Sequence, residues 1–324
     1  MSDHIIKGRT ENNEVRFFAA TTRELVEKAR TIHNTSPICT AALGRLLTAG
    51  AMMGTMAKNE SDILTLRIEG TGPAKSLTVT ADSKANVKGI ISNPVVDLPP
   101  NLEGHLNVGD AIGDGFLRVI RDAGLKEPYV GQTMLVTGEI AEDLTYYFAT
   151  SEQIPTSVGL GVLMSGENTV AQAGGFIIQL MPFASDETIS KIEKGLAAFS
   201  SVTDFLSGAD STGSQSHGSS GNIKFLNQVY GSDASEKSTD TGISTDDKLT
   251  AMIRSIVGEE IIVDEIIPAA YKCNCSRERV TKALISVGKA ELQSMIDDGK
   301  PVTLHCEFCN TDYTFELDEL RKFI

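Results

Sequence analysis

Two closely spaced pairs of cysteines near the carboxyl-terminal end constrain this sequence more than any other feature. Cys273 and Cys275 form a C-x-C motif, and Cys306 and Cys309 form a C-x-x-C motif. The chain contains only five cysteines. In a reducing compartment, clustered cysteines indicate metal binding or redox chemistry more often than structural disulfides. The two pairs therefore predict that the last part of the chain folds around a shared site.

The residues between the two pairs predict two short helices followed by a hairpin. Ser276 can cap the first helix, and Gly299 ends the second. Residues 302–317 alternate as two strands whose turn contains the C-x-x-C motif. The predicted buried face of the first helix is Val280, Ala283, Leu284 and Val287, and the apolar residues of the second are Leu292, Met295 and Ile296.

The cysteine spacing favours a zinc site made of four thiolates. A C-x-x-C turn presents two thiolates to one ion at about 2.3 Å, and a C-x-C pair can supply two more. The predicted ligands of one zinc ion per chain are Cys273, Cys275, Cys306 and Cys309. With four thiols available, we interpret the adjacent His305 as a hairpin residue. Cys39 lies in an Ala-rich segment and is interpreted as a small buried hydrophobic residue.

Spacing alone leaves other uses of these cysteines open. A disulfide across C-x-C closes a very small ring, and the resulting strain favours a reversible bond over a permanent one. A thioredoxin-type C-x-x-C needs its first thiol at a helix N-terminus, whereas Cys306 is predicted at a hairpin turn. Most closed four-cysteine zinc sites are structural, so spacing alone favours a structural zinc ribbon over a regulated site.

The composition and the absent motifs argue against several classes of function. The net charge of −14 and the isoelectric point near 4.8 argue against nucleic acid as a partner. The sequence lacks nucleotide-binding glycine motifs and any acid–base pair within a motif, so we expect neither nucleotide binding nor enzymatic activity. No secretory signal and no run of about 18 apolar residues occur, so we expect a cytoplasmic protein without a membrane span.

Residues 1–205 predict an α+β body in which packed helices accompany a mixed or antiparallel sheet. Alternating apolar residues predict strands in segments 14–22, 63–70, 75–82, 86–92, 115–122, 156–164 and 169–181. Helical spacing predicts helices in segments 22–34, 40–57, 138–153 and 185–199. Ser185 is a plausible N-cap of the last helix, because acidic residues follow it in the first turn.

Residues 206–268 predict a linker with two parts. Ser, Gly, Thr and Asp dominate residues 207–245, which cannot bury enough surface to offset their ordering entropy and are therefore predicted to be flexible. An apolar helical segment follows, and residues 261–268 continue it towards the cysteines. Residues 269–324 form the predicted zinc module. The apolar face of the helical segment is Leu249, Met252, Ile253 and Ile256.

Segments in both the module and the body resemble a known family, the redox-regulated 33-kDa heat-shock chaperones. In the module the resemblance lies in "CNCSRERV" and "HCEFCNTDYTF". In the body it includes "TAALGRLLTAGAMMG", "VKGIISNP" and "AGGFIIQLMP". It covers roughly residues 5–205 and 245–320, and paired cysteine motifs at this interval with "SRERV" attached are highly specific.

The resemblance implies a redox-regulated, ATP-independent holdase. In the reduced state, the four thiolates would hold zinc in an inactive monomer. Oxidants would convert them to the disulfides Cys273–Cys275 and Cys306–Cys309, and zinc would leave. The module and the preceding segment would unfold, and the chain would form a homodimer. That dimer would bind unfolding or oxidatively damaged client proteins and prevent their aggregation.

The energetics of zinc binding agree with such a switch. A module this small rarely folds without disulfides or a structural metal ion. Zinc binding contributes on the order of 10–16 kcal/mol to the folding of such modules. Oxidation of the ligands removes that contribution, so the module is expected to lose its structure. The apolar residues expected to be released are Val280, Leu284, Val287, Leu292 and the face within 249–268.

Two further functions remain as alternatives. The chain could be a structural zinc-ribbon adaptor for a folded partner, or a thiol oxidoreductase that uses Cys306 and Cys309. The sequence also departs from the resembled family in residues 207–245, which are longer than the usual connection between body and switch. We therefore predict that residues 246–268, and not the Ser/Gly-rich stretch, pack on the body in the reduced state.

Overall fold

The computed structural model describes residues 2–208 and 245–324. It divides into two compact units, Met1–Tyr271 and Lys272–Ile324. The stretch 207–245, predicted to be a flexible linker, lies outside the described residues except at its two ends. The helical part of the predicted linker belongs to the first unit.

A five-stranded antiparallel sheet forms one layer of the first unit. Its strands are β1 His4–Thr10, β2 Val15–Thr21, β8 Thr156–Met164, β9 Val170–Leu180 and β10 Ile261–Pro268. Their order in the sheet is β10-β1-β2-β9-β8, and every neighbouring pair is antiparallel. The predictions missed β1, which has no sustained alternation of apolar and polar residues.

A six-stranded sheet forms the other layer of the first unit. Its strands are β3 Ile63–Gly70, β4 Ser76–Asp82, β5 Asn86–Ile91, β6 Gly115–Asp122, β7 Tyr129–Met134 and β11 Ala270–Tyr271. The strand order is β11-β5-β4-β3-β6-β7, with only β11 parallel to its neighbour. Both sheets confirm the predicted α+β class. The predictions missed β7, because Gly131 and Gln132 interrupt its apolar pattern.

Helices pack against both sheets. The helices of the first unit are α1 Arg23–His33, α2 Pro37–Gly54, α3 Val108–Ile112, α4 Ala141–Tyr147, α5 Asp186–Ala198, α6 Val202–Ser207 and α7 Thr245–Val257. Helix α2 is almost entirely buried and touches strands of both sheets, which confirms the predicted core helix. Ser185 caps α5 as predicted, since its hydroxyl accepts the N–H of Thr188 at 3.3 Å.

The helix predicted for residues 138–153 begins later and ends differently. Helix α4 starts at Ala141, and one turn of π-helix, Phe148–Glu152, follows it. The Asp143 carboxylate accepts backbone N–H groups of the preceding turn, which holds buried Ile140 at a φ of 73°. Sequence periodicity did not indicate this turn, because its stability comes from a side chain that bonds backwards to the backbone.

Helices α5, α6 and α7 cover one face of the five-stranded sheet and form a second core. The sheet contributes alternate residues to it, including Phe17 and Phe176. Leu249, Met252, Ile253 and Ile256 of α7 are all completely buried there. The structure therefore confirms the predicted apolar face of this helix.

Residues 261–268 are a strand, so the expectation that they continue the helical segment was wrong. Gly258, at a φ of 67°, lies between α7 and β10. β10 then pairs with β1 along its whole length, with a register shift between Lys7 and Gly8. A short apolar run fits both a helix and a strand, and the β-branched Ile and Val residues favour the strand.

Tyr271 anchors the end of the first unit two residues before Cys273. Its side chain is 3% exposed, and its hydroxyl donates to the carbonyl of Gly89 at 3.0 Å. His33 Nε2 lies 3.1 Å from the same hydroxyl, and Lys28 Nζ donates to the Tyr271 carbonyl at 3.0 Å. The chain that leads into the C-x-C motif is therefore fixed to α1 and β5.

The second unit is small and has a small core. Its elements are α8 Arg277–Ile285, α9 Lys289–Asp297, β12 Val302–Cys306, β13 Thr311–Phe315, α10 Leu317–Leu320 and a 3-10 turn Arg321–Phe323. Its fully buried apolar residues are Leu284, Leu292, Phe315 and Leu320. The prediction that Ala283 and Val287 are buried was wrong. Val287 lies beyond the end of α8 and is 49% exposed.

A substitution at Gly195 can test how closely α7 packs against α5 within the first unit. A Cβ at Gly195 in α5 would stand 2.0 Å from the Ile256 carbonyl oxygen in α7. Ala is the better helix former by about 1 kcal/mol. We nevertheless expect Gly195→Ala to destabilise the first unit by about 1–3 kcal/mol, because the clash separates two backbones. Thermal unfolding and hydrogen exchange should show a lower midpoint and faster exchange in α7.

Gly166→Ala is the matched control, because a Cβ there meets no atom within 4 Å. Equal exchange rates in α7 for the two variants would contradict the assigned packing.

Candidate metal centre

The C-x-C motif lies between the Tyr271 anchor and α8. Ser276 follows it directly, and its hydroxyl accepts the N–H of Arg279 at 3.3 Å, which confirms the predicted helix cap. The cap fixes where α8 begins. Cys273 and Cys275 therefore lie just before the first turn of the helix.

The C-x-x-C motif forms the turn between β12 and β13. The Cys306 carbonyl accepts the N–H of Cys309 at 3.2 Å and that of Asn310 at 2.8 Å. Asn310 adopts a left-handed φ of 56°, which Asn tolerates better than most residues. The hairpin pairs Cys306 with Thr311. This geometry confirms the predicted hairpin and turns both sulfurs to the same side.

The four sulfurs converge, as the sequence predicted. Their Sγ atoms all lie within 4.8 Å of one another. Cys273 and Cys306 are 3.7 Å apart, and Cys275 and Cys309 are 3.2 Å apart. All four cysteines are free thiols and partly buried. The structure thus places each cysteine of one motif next to a cysteine of the other, without a bond between them.

This arrangement suits a tetrahedrally coordinated metal ion. Thiolate–zinc bonds of about 2.3 Å imply sulfurs about 3.8 Å apart along each edge of the tetrahedron. The 3.7 Å separation matches that edge, and the 3.2 Å separation is somewhat shorter. Four thiolate ligands also favour soft or borderline ions over magnesium or calcium. The four cysteines therefore fit a metal ion in both geometry and chemistry.

The thiols have different proton affinities. Burial raises the pKa of Cys273 to about 12 and also raises the pKa of Cys309. Burial acts in the same direction at Cys275, but hydrogen bonds from the Tyr313 hydroxyl and the neighbouring thiols outweigh it and lower the pKa to about 7. A bound cation would override these differences, because a coordinated thiol is deprotonated outright.

Cys39 and His305 lie where the sequence analysis expected them. Cys39 is completely buried in α2, and its sulfur donates to the Asn93 carbonyl at 3.4 Å. Burial raises the pKa of this thiol. His305 lies in β12, with Nδ1 2.7 Å from the Asp312 carboxylate across the hairpin. Neither residue belongs to the sulfur cluster.

Two hydroxyl groups that no sequence motif indicated lie beside the sulfurs. The Tyr313 hydroxyl donates to Cys275 Sγ at 3.2 Å, and the Thr311 hydroxyl lies 3.3 Å from Cys309 Sγ. The hydrogen bond to Cys275 raises the pKa of Tyr313 to about 12. Both residues belong to β13, and the hairpin register aims them at the cluster. Residue 313 is far from Cys275 in sequence, so only the folded hairpin reveals the contact.

Arg277 ties the start of α8 to the rest of the second unit. Its guanidinium lies 4.6 Å from the ring centroid of Phe315 and pairs with Glu319 at 2.8 Å. It also donates to the Thr314 carbonyl at 2.9 Å. These contacts connect the first residue of α8, just after the C-x-C motif, to β13 and α10, which follow the C-x-x-C turn.

Among the described residues, the four cysteines form the only cluster suited to a metal ion. Within residues 2–208 and 245–324, no helix is both long and apolar enough to cross a membrane.

Comparison with known proteins gives matches along the whole chain. A family model described as "Hsp33 protein" matches residues 3–220 and 221–316. The 33 kDa chaperonin of Lachnoclostridium phytofermentans is 50% identical over 325 residues, covering 100% of this chain and 99% of that relative. The 33 kDa chaperonin of Agathobacter rectalis is 46% identical over 323 residues, covering 99% of each.

A solved structure matches as well. The crystal structure of the 33 kDa chaperonin, a heat shock protein 33 homolog, from Thermotoga maritima superposes with a TM-score of 0.81 at 34% identity. The match covers 100% of this chain and 98% of that chain. With its α+β fold and converging cysteines, the chain belongs to the Hsp33 family of chaperones.

Proposed function

We propose that the chain is a redox-regulated, ATP-independent holdase, inactive while reduced and bound to zinc. One observation carries the proposal: four thiols from two distant motifs lie within 4.8 Å of one another, and Tyr271, two residues before Cys273, is anchored to the first unit. A metal at these thiols would hold the second unit together. Loss of the metal would act on the segment that joins the two units.

Zinc is the proposed ion, with one ion per chain. Structural four-cysteine sites bind zinc tetrahedrally, and such binding contributes on the order of 10–16 kcal/mol to folding. The second unit has only four fully buried apolar residues in its core. A core of this size does not normally fold without disulfides or a structural metal ion, so the structure of the second unit would depend on the metal.

Oxidation by a peroxide would release the ion. A thiolate sulfur attacks one peroxide oxygen, the O–O bond breaks, and a sulfenic acid and hydroxide form. A second thiolate then attacks that sulfur and expels hydroxide as the disulfide forms. The formation of each disulfide takes two electrons from a pair of thiolates and reduces one peroxide, and Zn²⁺ would be released without a change in its oxidation state.

The proposed disulfides are Cys273–Cys275 and Cys306–Cys309. In the reduced geometry each sulfur has a sulfur of the other motif nearby, at 3.7 Å for Cys273 and Cys306 and at 3.2 Å for Cys275 and Cys309. Pairing within each motif would leave no covalent bond between the two motifs, so the second unit could open as the metal leaves. Once it is open, short loops close at a lower entropic cost than long ones, which favours pairing within each motif.

Opening of the second unit would then allow β10 and α7 to detach from the rest of the first unit. Among the described strands, β10 is an edge strand that pairs only with β1, and five consecutive residues of it are exposed. Helix α7 covers Phe17 and Phe176 on the five-stranded sheet. Its release would expose both this sheet face and its own buried residues, which together form an apolar surface for non-native chains.

The proposal includes a location and an assembly state. We expect the chain to act in the cytoplasm, to form a homodimer when oxidised, and to bind unfolded or oxidatively damaged client proteins. We expect it to need no nucleotide, to bind neither nucleic acid nor membrane, and to catalyse no reaction. Val287 is already exposed in the folded chain, so it adds little newly exposed apolar surface.

Metal removal is the first test. Purified under reducing conditions, the chain should contain one zinc per chain, and a strong chelator should unfold residues 272–324 while residues 2–208 stay protected. Zinc analysis and hydrogen exchange measure the two effects. Cys39→Ala should keep the metal, whereas Cys309→Ser should lose it. Full protection of residues 272–324 after zinc removal would contradict the proposed dependence on metal.

Oxidation is the second test. Peroxide with mild heat should release zinc, form the two proposed disulfides and make the chain suppress aggregation of a heat-denatured test protein. A zinc-sensitive dye, mass spectrometry of non-reduced peptides and light scattering report these steps. Cys39→Ala should behave like the wild type. The double variant Cys273→Ser with Cys306→Ser cannot form either proposed disulfide and should therefore gain no oxidation-dependent activity.

The outcomes separate the alternatives. Zinc that stays bound throughout would favour the structural zinc-ribbon adaptor. Turnover in an insulin-reduction assay would favour the thiol oxidoreductase. Zinc release without suppression of aggregation would overturn the redox-regulated holdase.

A further inference from the structure

We propose that Tyr313 is a positioning residue of the metal centre, whose hydroxyl stabilises the metal-bound Cys275 thiolate and slows its oxidation. This inference rests on the proposed function, because it concerns the metal and the oxidation proposed above. It assigns a role to a side chain that provides no metal ligand.

The contact joins the two halves of the centre. Tyr313 lies in β13, opposite Leu304 of β12 in the hairpin that carries the C-x-x-C turn. Its hydroxyl donates to Cys275 Sγ at 3.2 Å, so a residue of the hairpin holds a sulfur of the C-x-C motif. The Tyr313 side chain is partly buried against the core of the second unit. The packed ring therefore gives the hydroxyl a defined direction.

The neighbouring sulfur has a similar partner. The Thr311 hydroxyl lies 3.3 Å from Cys309 Sγ, and Cys309 Sγ lies 3.2 Å from Cys275 Sγ. Residues 311 and 313 of the same strand thus place hydroxyls beside two neighbouring sulfurs of the cluster, those of Cys309 and Cys275. Alternate residues of a strand point to the same face, which explains the spacing of two.

A hydroxyl donor has two effects on a metal-bound thiolate. Four thiolates and one Zn²⁺ leave a net charge of −2, and a hydrogen bond to sulfur offsets part of that charge, which strengthens metal binding. The same hydrogen bond withdraws electron density from sulfur and makes it a weaker nucleophile towards peroxide. In that attack a sulfur–oxygen bond forms, the O–O bond breaks and the expelled hydroxide takes up a proton to give water.

Tyr313→Phe removes the hydroxyl and keeps the ring. Partners of metal ligands typically change affinity or activity by about 10–100-fold when they are removed. We expect zinc affinity, measured by chelator competition, to fall by about tenfold or more in this variant. We also expect faster zinc release at a fixed peroxide concentration, and more sulfenic acid trapped at Cys275 by a dimedone-type reagent.

The matched control is Thr314→Val, which removes a hydroxyl from the adjacent residue of the same strand. The Thr314 hydroxyl bonds to Thr303 at 3.0 Å and is not among the hydroxyls found beside the sulfurs. This variant should keep wild-type zinc affinity and release rate. Tyr313→Leu tests the ring itself and should lower thermal stability, which Tyr313→Phe should largely preserve.

Cobalt substitution gives a readout that packing alone would not change. The sulfur-to-cobalt charge-transfer band should shift in Tyr313→Phe and stay in place in Thr314→Val. An unchanged band, together with zinc affinity and release within twofold of the wild type, would overturn the assigned role. If Tyr313→Phe weakens metal binding but the oxidised wild-type chain suppresses no aggregation, the proposed function fails and the role of Tyr313 stands.

Discussion

Electrostatic repulsion among four thiolates is the constraint on which the second unit depends. Two full negative charges about 4 Å apart repel by about 4 kcal/mol at an effective dielectric constant near 20. Four sulfurs within 4.8 Å cannot all ionise unless a cation neutralises them. The proposed dication would replace this repulsion by four bonds that join the C-x-C segment to the hairpin. The core of the unit, with four fully buried residues, would then have to supply only the rest of the folding energy.

The elements that lead to the metal centre are held by three kinds of interaction. Helix α7 is held by an apolar face, β10 by one ladder of backbone hydrogen bonds and two ion pairs, and Tyr271 by hydrogen bonds to its side chain and carbonyl. The ion pairs are partly exposed and contribute little. β10 also buries Ile261 and Ile267, and along the chain it lies between the other two attachments.

The sequence revealed the parts of the fold and the site that depend on local pattern. Helical spacing identified the buried face of α7, and motif spacing identified the four converging cysteines. The strand β10 was missed because "IIVDEIIP" fits a helix or a strand until β1 is present to pair with it. The hydrogen bond from Tyr313 to Cys275 was missed because it depends on hairpin register. Local sequence pattern therefore indicates which residues can be buried or can bind a metal. Strand pairing in the folded chain determines which side chains are in contact.

The position of β10 at the edge of its sheet would have a consequence for recovery after the proposed oxidation. β1 pairs with β2 on its other side, so it would keep one partner strand if β10 detached. A returning β10 would then pair with a strand that is still part of the sheet. Asp264 is the residue of β10 without a partner in β1, and Ile261 and Ile267 on either side of it are buried in different cores. A slip by one residue would exchange the faces to which these side chains point, so only the native alignment would return both of them to their cores.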